Sequence, residues 1–290
     1  MPTRLCALAA VALTSACATT PLAGPASAVE RTLTVQGTAG GLRVSDGGAG
    51  EPAVVFVHGL GSDLEVWRPQ LERLRASRRV VAYDQRGHGG SDRAAGGAYA
   101  LDALAADLEA VRAALGLRRL VVVGHSMSGA VLTTYAAAHA EAVAGLVYVD
   151  AIGDFSGVPR EALQPLVERE AGYGSPEVQA AFAEMLGTQA KPATREAVLA
   201  SAVRLDPAAF GKLRRALFDF RDGARLHAAW HGPALAVEVA DNPFPAVMAS
   251  RVLGIPRTEV AGVSHWLQLD APEALARSLD GFLADLPAGR

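Results

Sequence analysis

The sequence predicts an α/β protein: a mostly parallel, eight-stranded sheet flanked by helices, with a helical cap inserted after the sixth strand. Three observations lead there. From Arg31 onward, short β-branched runs alternate with longer Ala/Leu/Arg segments of helical period, the pattern of strands that cross over through helices. The run Ala53-Val54-Val55-Phe56-Val57 is apolar at every position, as suits a strand covered on both faces. Between Asp150 and Trp230 the alternation stops and only helical stretches are visible, over an interval too long for a connecting loop.

Taken in order, the first segment is a leader. MPTRLCALAAVALTSACATT has a positive charge at Arg4, an apolar run from Leu5 to Leu13 and then small residues ending at Cys17. It reads as an export signal, too short to span a bilayer as a stable helix. Its end, Leu13-Thr14-Ser15-Ala16-Cys17, resembles a bacterial lipobox, which implies lipid attachment at Cys17 and an envelope-anchored, periplasmic lipoprotein. The competing reading is ordinary cleavage after Ala26-Ser27-Ala28 and a secreted chain. Cys6 and Cys17 are the only cysteines, so a disulfide within the domain from residue 29 onward is not expected. Residues Ala18 to Ala28, rich in Thr, Pro, Gly and Ser, read as a tether, and 29–290 as one domain.

The candidate strands follow: Arg31 to Val35, Gly41 to Val44, Ala53 to Val57, Val80 to Tyr83, Leu120 to Val123, Gly145 to Val149, Ala234 to Val239 and Thr258 to Val260. The cap is expected over about 154–228, with helices at Glu161 to Glu170, Glu177 to Leu186 and Pro207 to Phe220. A net charge of -3 and no basic run leave no footprint for a nucleic acid. The only membrane contact implied is the N-terminal lipid anchor. Oligomeric state is not readable.

The chemistry-bearing signal is Leu120-Val121-Val122-Val123-Gly124-His125-Ser126-Met127-Ser128-Gly129-Ala130, an apolar strand running through a tight small-residue turn into an Ala-rich helix. Such a turn exposes a serine hydroxyl above the sheet at a helix N-terminus, where the dipole favours developing negative charge. Taken alone, a glycine-rich turn that packs a helix would look the same.

Here the chain resembles the α/β-hydrolase fold family, specifically esterase, lactonase and perhydrolase-like members with a Gly-His-Ser-Met-Gly-Gly elbow, over nearly its whole length after the tether. Ser128 stands where the family usually has glycine. The resemblance implies that Ser126 is the nucleophile. It also implies that the backbone N–H groups of Leu60, in His58-Gly59-Leu60-Gly61-Ser62 after the third strand, and of Met127 form the oxyanion hole. Gly262-Val263-Ser264-His265-Trp266, with Asp270 and Pro272 beyond it, resembles the family's closing Gly-His-x-x-x-x-(Asp/Glu)-x-Pro stretch. That makes His265 the general base, with Ser264 in place of the common glycine.

A serine hydroxyl is a weak nucleophile at neutral pH without a base, and the base needs a carboxylate to hold its tautomer. Asp241, in the loop after the seventh strand, is expected as that acid by resemblance, with Asp150 at the end of the sixth strand as the alternative. His58, His125 and the segment Asp84 to Ser91 read as scaffolding of the site floor. His139, His227 and His231 lack partners at ligand spacing, and no metal or other cofactor is implied. Phe155, Phe210, Phe218 and Phe220 fit an acyl pocket or plain helix core equally.

The implied activity is hydrolysis of a small ester or lactone through an acyl-enzyme. Perhydrolase (haloperoxidase-like), thioesterase, amidase and carbon-carbon hydrolase chemistry would use the same residues, whereas relatives with an aspartate nucleophile are disfavoured by the serine. An idle hydrolase-fold binding protein is the alternative of a different class.

Overall fold

The computed structural model describes residues 29–287. The leader expectations (export signal and tether in 1–28, lipid attachment at Cys17, alternative cleavage after Ala28) lie outside the described residues. All eight expected strands are present: β1 (Arg31–Gln36), β2 (Gly41–Gly47), β3 (Ala53–Val57), β4 (Val80–Tyr83), β5 (Leu120–His125), β6 (Val143–Val149), β7 (Ala234–Val239) and β8 (Arg257–Val260). They form one sheet in the order β1-β2-β4-β3-β5-β6-β7-β8. β2 runs antiparallel to both its neighbours, and every pair from β4 to β8 is parallel.

Every residue of β3, β4, β5 and β6 is buried, which is why those strands read as unbroken apolar runs. β2 extends three residues beyond its expected end because Ser45 and Asp46 stay in the ladder against Ala82 and Val81. The Asp46 carboxylate is matched there by Arg31 (2.6 Å) and Arg79 (3.1 Å). Charge pairing lets polar residues continue a strand that apolar patterning would stop.

The helices are α1 (Arg68–Leu74), α2 (Leu101–Ala114), α3 (Ser128–Ala138), α4 (Arg160–Glu170), α5 (Ser175–Met185), α6 (Pro192–Ala202), α7 (Pro207–Asp219), α8 (Gly223–Trp230), α9 (Ala249–Leu253), α10 (Leu267–Asp270) and α11 (Pro272–Asp285). No helix among the described residues is long and apolar enough to cross a membrane.

The long interval after β6 divides in two. α4 packs on α7, and α5 on α6 and α7, around stacked or edge-on ring pairs Tyr173–Phe210 and Phe182–Phe210. α8 packs against α3 and so belongs to the layer flanking the sheet. Polar contacts fasten the four-helix cap to the sheet layer: Arg204 pairs with buried Asp63, Tyr99 donates to Asp206 (2.9 Å), and the Lys191 N–H donates to Asp270 (3.0 Å). All three join the cap to segments that follow β3, β4 and β8.

Candidate active site

The elbow is built by backbone constraint. β5 ends at His125, α3 begins at Ser128, and Ser126 between them has φ +57°, a left-handed conformation that costs a non-glycine residue about 1 kcal/mol or more. The Ser126 N–H donates to Val149 O (3.2 Å), while its carbonyl accepts from the N–H groups of Gly129 (3.1 Å) and Ile152 (3.0 Å). These bonds hold the turn against the end of β6. A Cβ at Gly129 would lie 2.3 Å from the Ile152 carbonyl, so only glycine lets α3 come this close. Ser128 fits where the family usually has glycine because its hydroxyl is used. It donates to His58 O (2.5 Å) and accepts from the Gln85 side chain (3.3 Å) in a fully buried position.

His265 reaches Ser126 directly: its Nε2 lies 2.8 Å from Ser126 Oγ, and its Nδ1 lies 2.6 Å from Asp150 Oδ2. With Nδ1–H donating to the carboxylate, Nε2 is left to accept the serine proton. Asp150 immediately follows β6, is 1% exposed and has φ +41°. Its Oδ1 accepts from the Val239 N–H (3.0 Å) and Asn242 Nδ2 (3.1 Å), and its Oδ2 accepts from Asn242 Nδ2 (3.2 Å) as well as from His265.

The expectation that Asp241 faces the histidine is therefore corrected in favour of Asp150. Beyond β7 the Ala240 N–H donates to Val260 O (3.0 Å) and the Asn242 N–H to Val239 O (3.3 Å). This tight turn leaves Asp241 exposed, with no hydrogen-bond or ion-pair partner among the described residues, and brings Asn242 inward onto Asp150. The contributor that sequence reasoning missed is thus Asn242, one residue along. The Asn-Pro pair at 242–243 marks a turn but carries no sign that the amide meets a carboxylate on another strand.

The loop that carries His265 is pinned from behind. Ser264 donates through both its N–H (2.8 Å) and hydroxyl (2.5 Å) to Asp270 Oδ2. Burial alone would raise the Asp270 pKa, but the hydroxyls of Ser264 and Thr194 and the backbone N–H groups of Lys191 and Ser264 bring it below the usual carboxylate value. Asp270 thereby joins the residue before His265 to the start of α6.

On the other side of the serine, a Cβ at Gly59 would lie 2.9 Å from Ser126 Cβ, so the loop that carries Leu60 rests on the elbow. Among the described residues, no protein acceptor stands on the N–H of Leu60 or Met127. The His125 ring donates from Nε2 to His265 O (2.9 Å), and burial together with the neighbouring His265 drives its pKa well below 6.5. His58 donates from Nδ1 to Gly59 O (2.8 Å) and accepts the Gln85 N–H at Nε2 (2.9 Å). Burial pushes His58 down to about 4 and His88 to about 3. All three are neutral struts. Phe155, Phe210 and Phe218 are buried, with Phe155 edge-on to Phe218, while Phe220 is only partly buried against the same core.

A sequence model of the alpha/beta hydrolase fold family matches residues 52–188, from β3 through the elbow into the cap. The non-heme haloperoxidase of Rhodococcus erythropolis is 42% identical over 109 residues, 37% of this chain and 39% of that protein. Mouse epoxide hydrolase 4 is 33% identical over 108 residues, 37% of this chain and 30% of its own length. The putative carbamate hydrolase RutD of Escherichia coli is 36% identical over 102 residues, 35% of this chain and 37% of that protein. The chain thus spans little more than a third of the length of these curated relatives. Among solved structures, the enol-lactonase from Burkholderia xenovorans LB400 superposes with a TM-score of 0.77 at 21% identity, covering 87% of this chain and all of that one. A thermophilic esterase from Thermogutta terrifontis gives 0.75 at 23%, covering 88% of this chain and 98% of that one. Identities this low speak for the fold alone. Sheet order, elbow and matched segment together show the α/β-hydrolase fold.

Proposed function

We propose that the protein is a serine hydrolase of small esters or lactones that works through an acyl-enzyme. The observation that carries this reading is the hydrogen-bonded chain from Ser126 through His265 to buried Asp150, mounted on a left-handed serine. In this mechanism His265 Nε2 takes the hydroxyl proton as Ser126 Oγ bonds to the substrate carbonyl carbon, and Asp150 stabilises the resulting imidazolium. The N–H groups of Leu60 and Met127 receive the negative charge on the carbonyl oxygen. Preorganised donors of this kind contribute about 3 kcal/mol each to a transition state. The imidazolium then protonates the leaving alcohol oxygen as its bond to carbon breaks, and water, deprotonated by the same nitrogen, releases the acid and frees the serine.

A second reading uses the same residues. The haloperoxidase named among the relatives favours perhydrolysis, in which hydrogen peroxide rather than water attacks the acyl-enzyme and leaves as a peracid. Ser126 argues against an aspartate-nucleophile mechanism, despite the epoxide hydrolases sharing the fold.

A fluorophosphonate probe should label the wild type at Ser126, and turnover of p-nitrophenyl esters or lactones should fall by roughly 10⁴- to 10⁶-fold in a folded Ser126→Ala variant. Near-native turnover in that variant would sink the mechanism. Adding peroxide and assaying peracid separates the two readings.

A further inference from the structure

We propose that Asn242 is a positioning residue that holds the Asp150 carboxylate against His265. The proposal rests on the serine-hydrolase reading. Asn242 Oδ1 accepts the Phe244 N–H (2.8 Å), which fixes the amide so that its Nδ2 end faces Asp150. From there Nδ2 lies 3.1 Å from Oδ1 and 3.2 Å from Oδ2.

A carboxylate that is 1% exposed must have its charge met by donors. His265 reaches Oδ2 and the Val239 N–H reaches Oδ1; among the described residues, Asn242 is the only other donor, and the only one besides His265 on Oδ2. Asp150 also sits in a left-handed conformation at the lip of the sheet, so its side chain gains no orientation from a continuing strand. The amide does two things. It fixes the rotation of the carboxylate plane towards Nδ1, and it draws negative charge away from the oxygen that faces the imidazole. Without it the carboxylate is less well aimed, and it favours imidazolium more strongly when it does meet the ring. His265 would then need a higher pH to act as a base.

The simpler role for Asn242 is to shape the turn through its bond to Phe244. The two roles separate in a double-mutant cycle, because positioning acts only through Asp150. The readout is the rate of fluorophosphonate labelling of Ser126 across pH, which needs no knowledge of the substrate. Asn242→Ala removes the amide, and Asn242→Ser keeps a turn-forming hydroxyl too short to reach Asp150. In the wild-type background either variant should lower the high-pH plateau by roughly 10- to 100-fold. Each should also raise the labelling midpoint by about half a pH unit or more. In an Asp150→Asn background the same change should alter the plateau by less than about twofold.

Equal losses in both backgrounds, or an unchanged plateau and midpoint in Asn242→Ser, would overturn the assignment. A wild type that takes up no label at Ser126 would bring down the serine-hydrolase reading itself and this proposal with it. Labelling that is intact but indifferent to Asn242 would remove only the latter.

Discussion

β6 and β7 lie side by side in parallel register, Val149 beside Val237, and each is followed closely by an aspartate. Only one of the two meets the imidazole of His265. Asp150 comes directly after β6 with φ +41°, is buried, and accepts hydrogen bonds from Val239, Asn242 and His265. Asp241 comes two residues after β7, beyond Ala240, on the outside of a turn that exposes it. Residue type is the same at both ends, so backbone direction decides which carboxylate reaches the imidazole. A one-residue difference in where the chain leaves a strand reverses the face a side chain takes.

The largest expected effect breaks the used end. Asp150→Asn keeps the shape of the side chain but offers Nδ1 a donor, which favours the wrong imidazole tautomer. In serine proteases the equivalent change costs about 10⁴ in kcat. A loss of that order in ester turnover is expected here, with the melting temperature checked so that a folding defect is not mistaken for it. Activity within tenfold of wild type would mean that the β6 end does not carry the acid.

The contrast also marks how far the sequence is legible. The eight strands were readable because their buried faces leave runs of β-branched residues, and Ser126 and His265 because each sits in a motif whose local spacing creates its geometry. The carboxylate that meets His265 has no such local signature. It is chosen by the turn after β7, held by the bonds from Ala240 to Val260 and from Asn242 to Val239, and the first of these joins two strands that nothing in the sequence pairs explicitly. Helix α6, not among the cap helices named from the sequence, opens on Lys191-Pro192 with a first-turn proline. The departures Ser128 and Ser264 were visible as oddities, but the partners that make them useful, His58 O and Asp270, lie on remote segments.

A smaller, global effect sharpens the comparison by bounding the pH at which it can be made. The loops after β3 and β4 carry buried, neutral histidines whose pKa values lie below the ordinary 6.5, with His58 at about 4 and His88 at about 3 through burial. Their unfolded forms take up protons first on acidification. Stability is therefore full above pH 6.5 and is lost as pH falls from there towards 4 for His58 and 3 for His88. Each histidine costs about 1.4 kcal/mol per pH unit within its window. Urea unfolding at pH 7.5, 6 and 5 should show a decline of a few kcal/mol by the last, and a flat profile would show that these rings are not held neutral. The two aspartate variants are accordingly best compared between pH 7 and 8.

The smallest expected effect belongs to the unused end. Asp241 is exposed and makes no hydrogen bond or ion pair with any described residue, so Asp241→Asn removes a solvated charge without leaving a buried partner unmatched. Its one route to the site is through its neighbour, since Asn242 touches Asp150, and asparagine preserves both size and turn preference at 241. The turn should therefore survive, with turnover within about twofold of wild type and stability within about 0.5 kcal/mol. Measured beside Asp150→Asn under the same conditions, the pair of variants should differ by three or more orders of magnitude. If Asp241→Asn were instead the crippled one, the turn after β7 would have to open in solution and present Asp241 to His265. The two strand ends would then exchange roles.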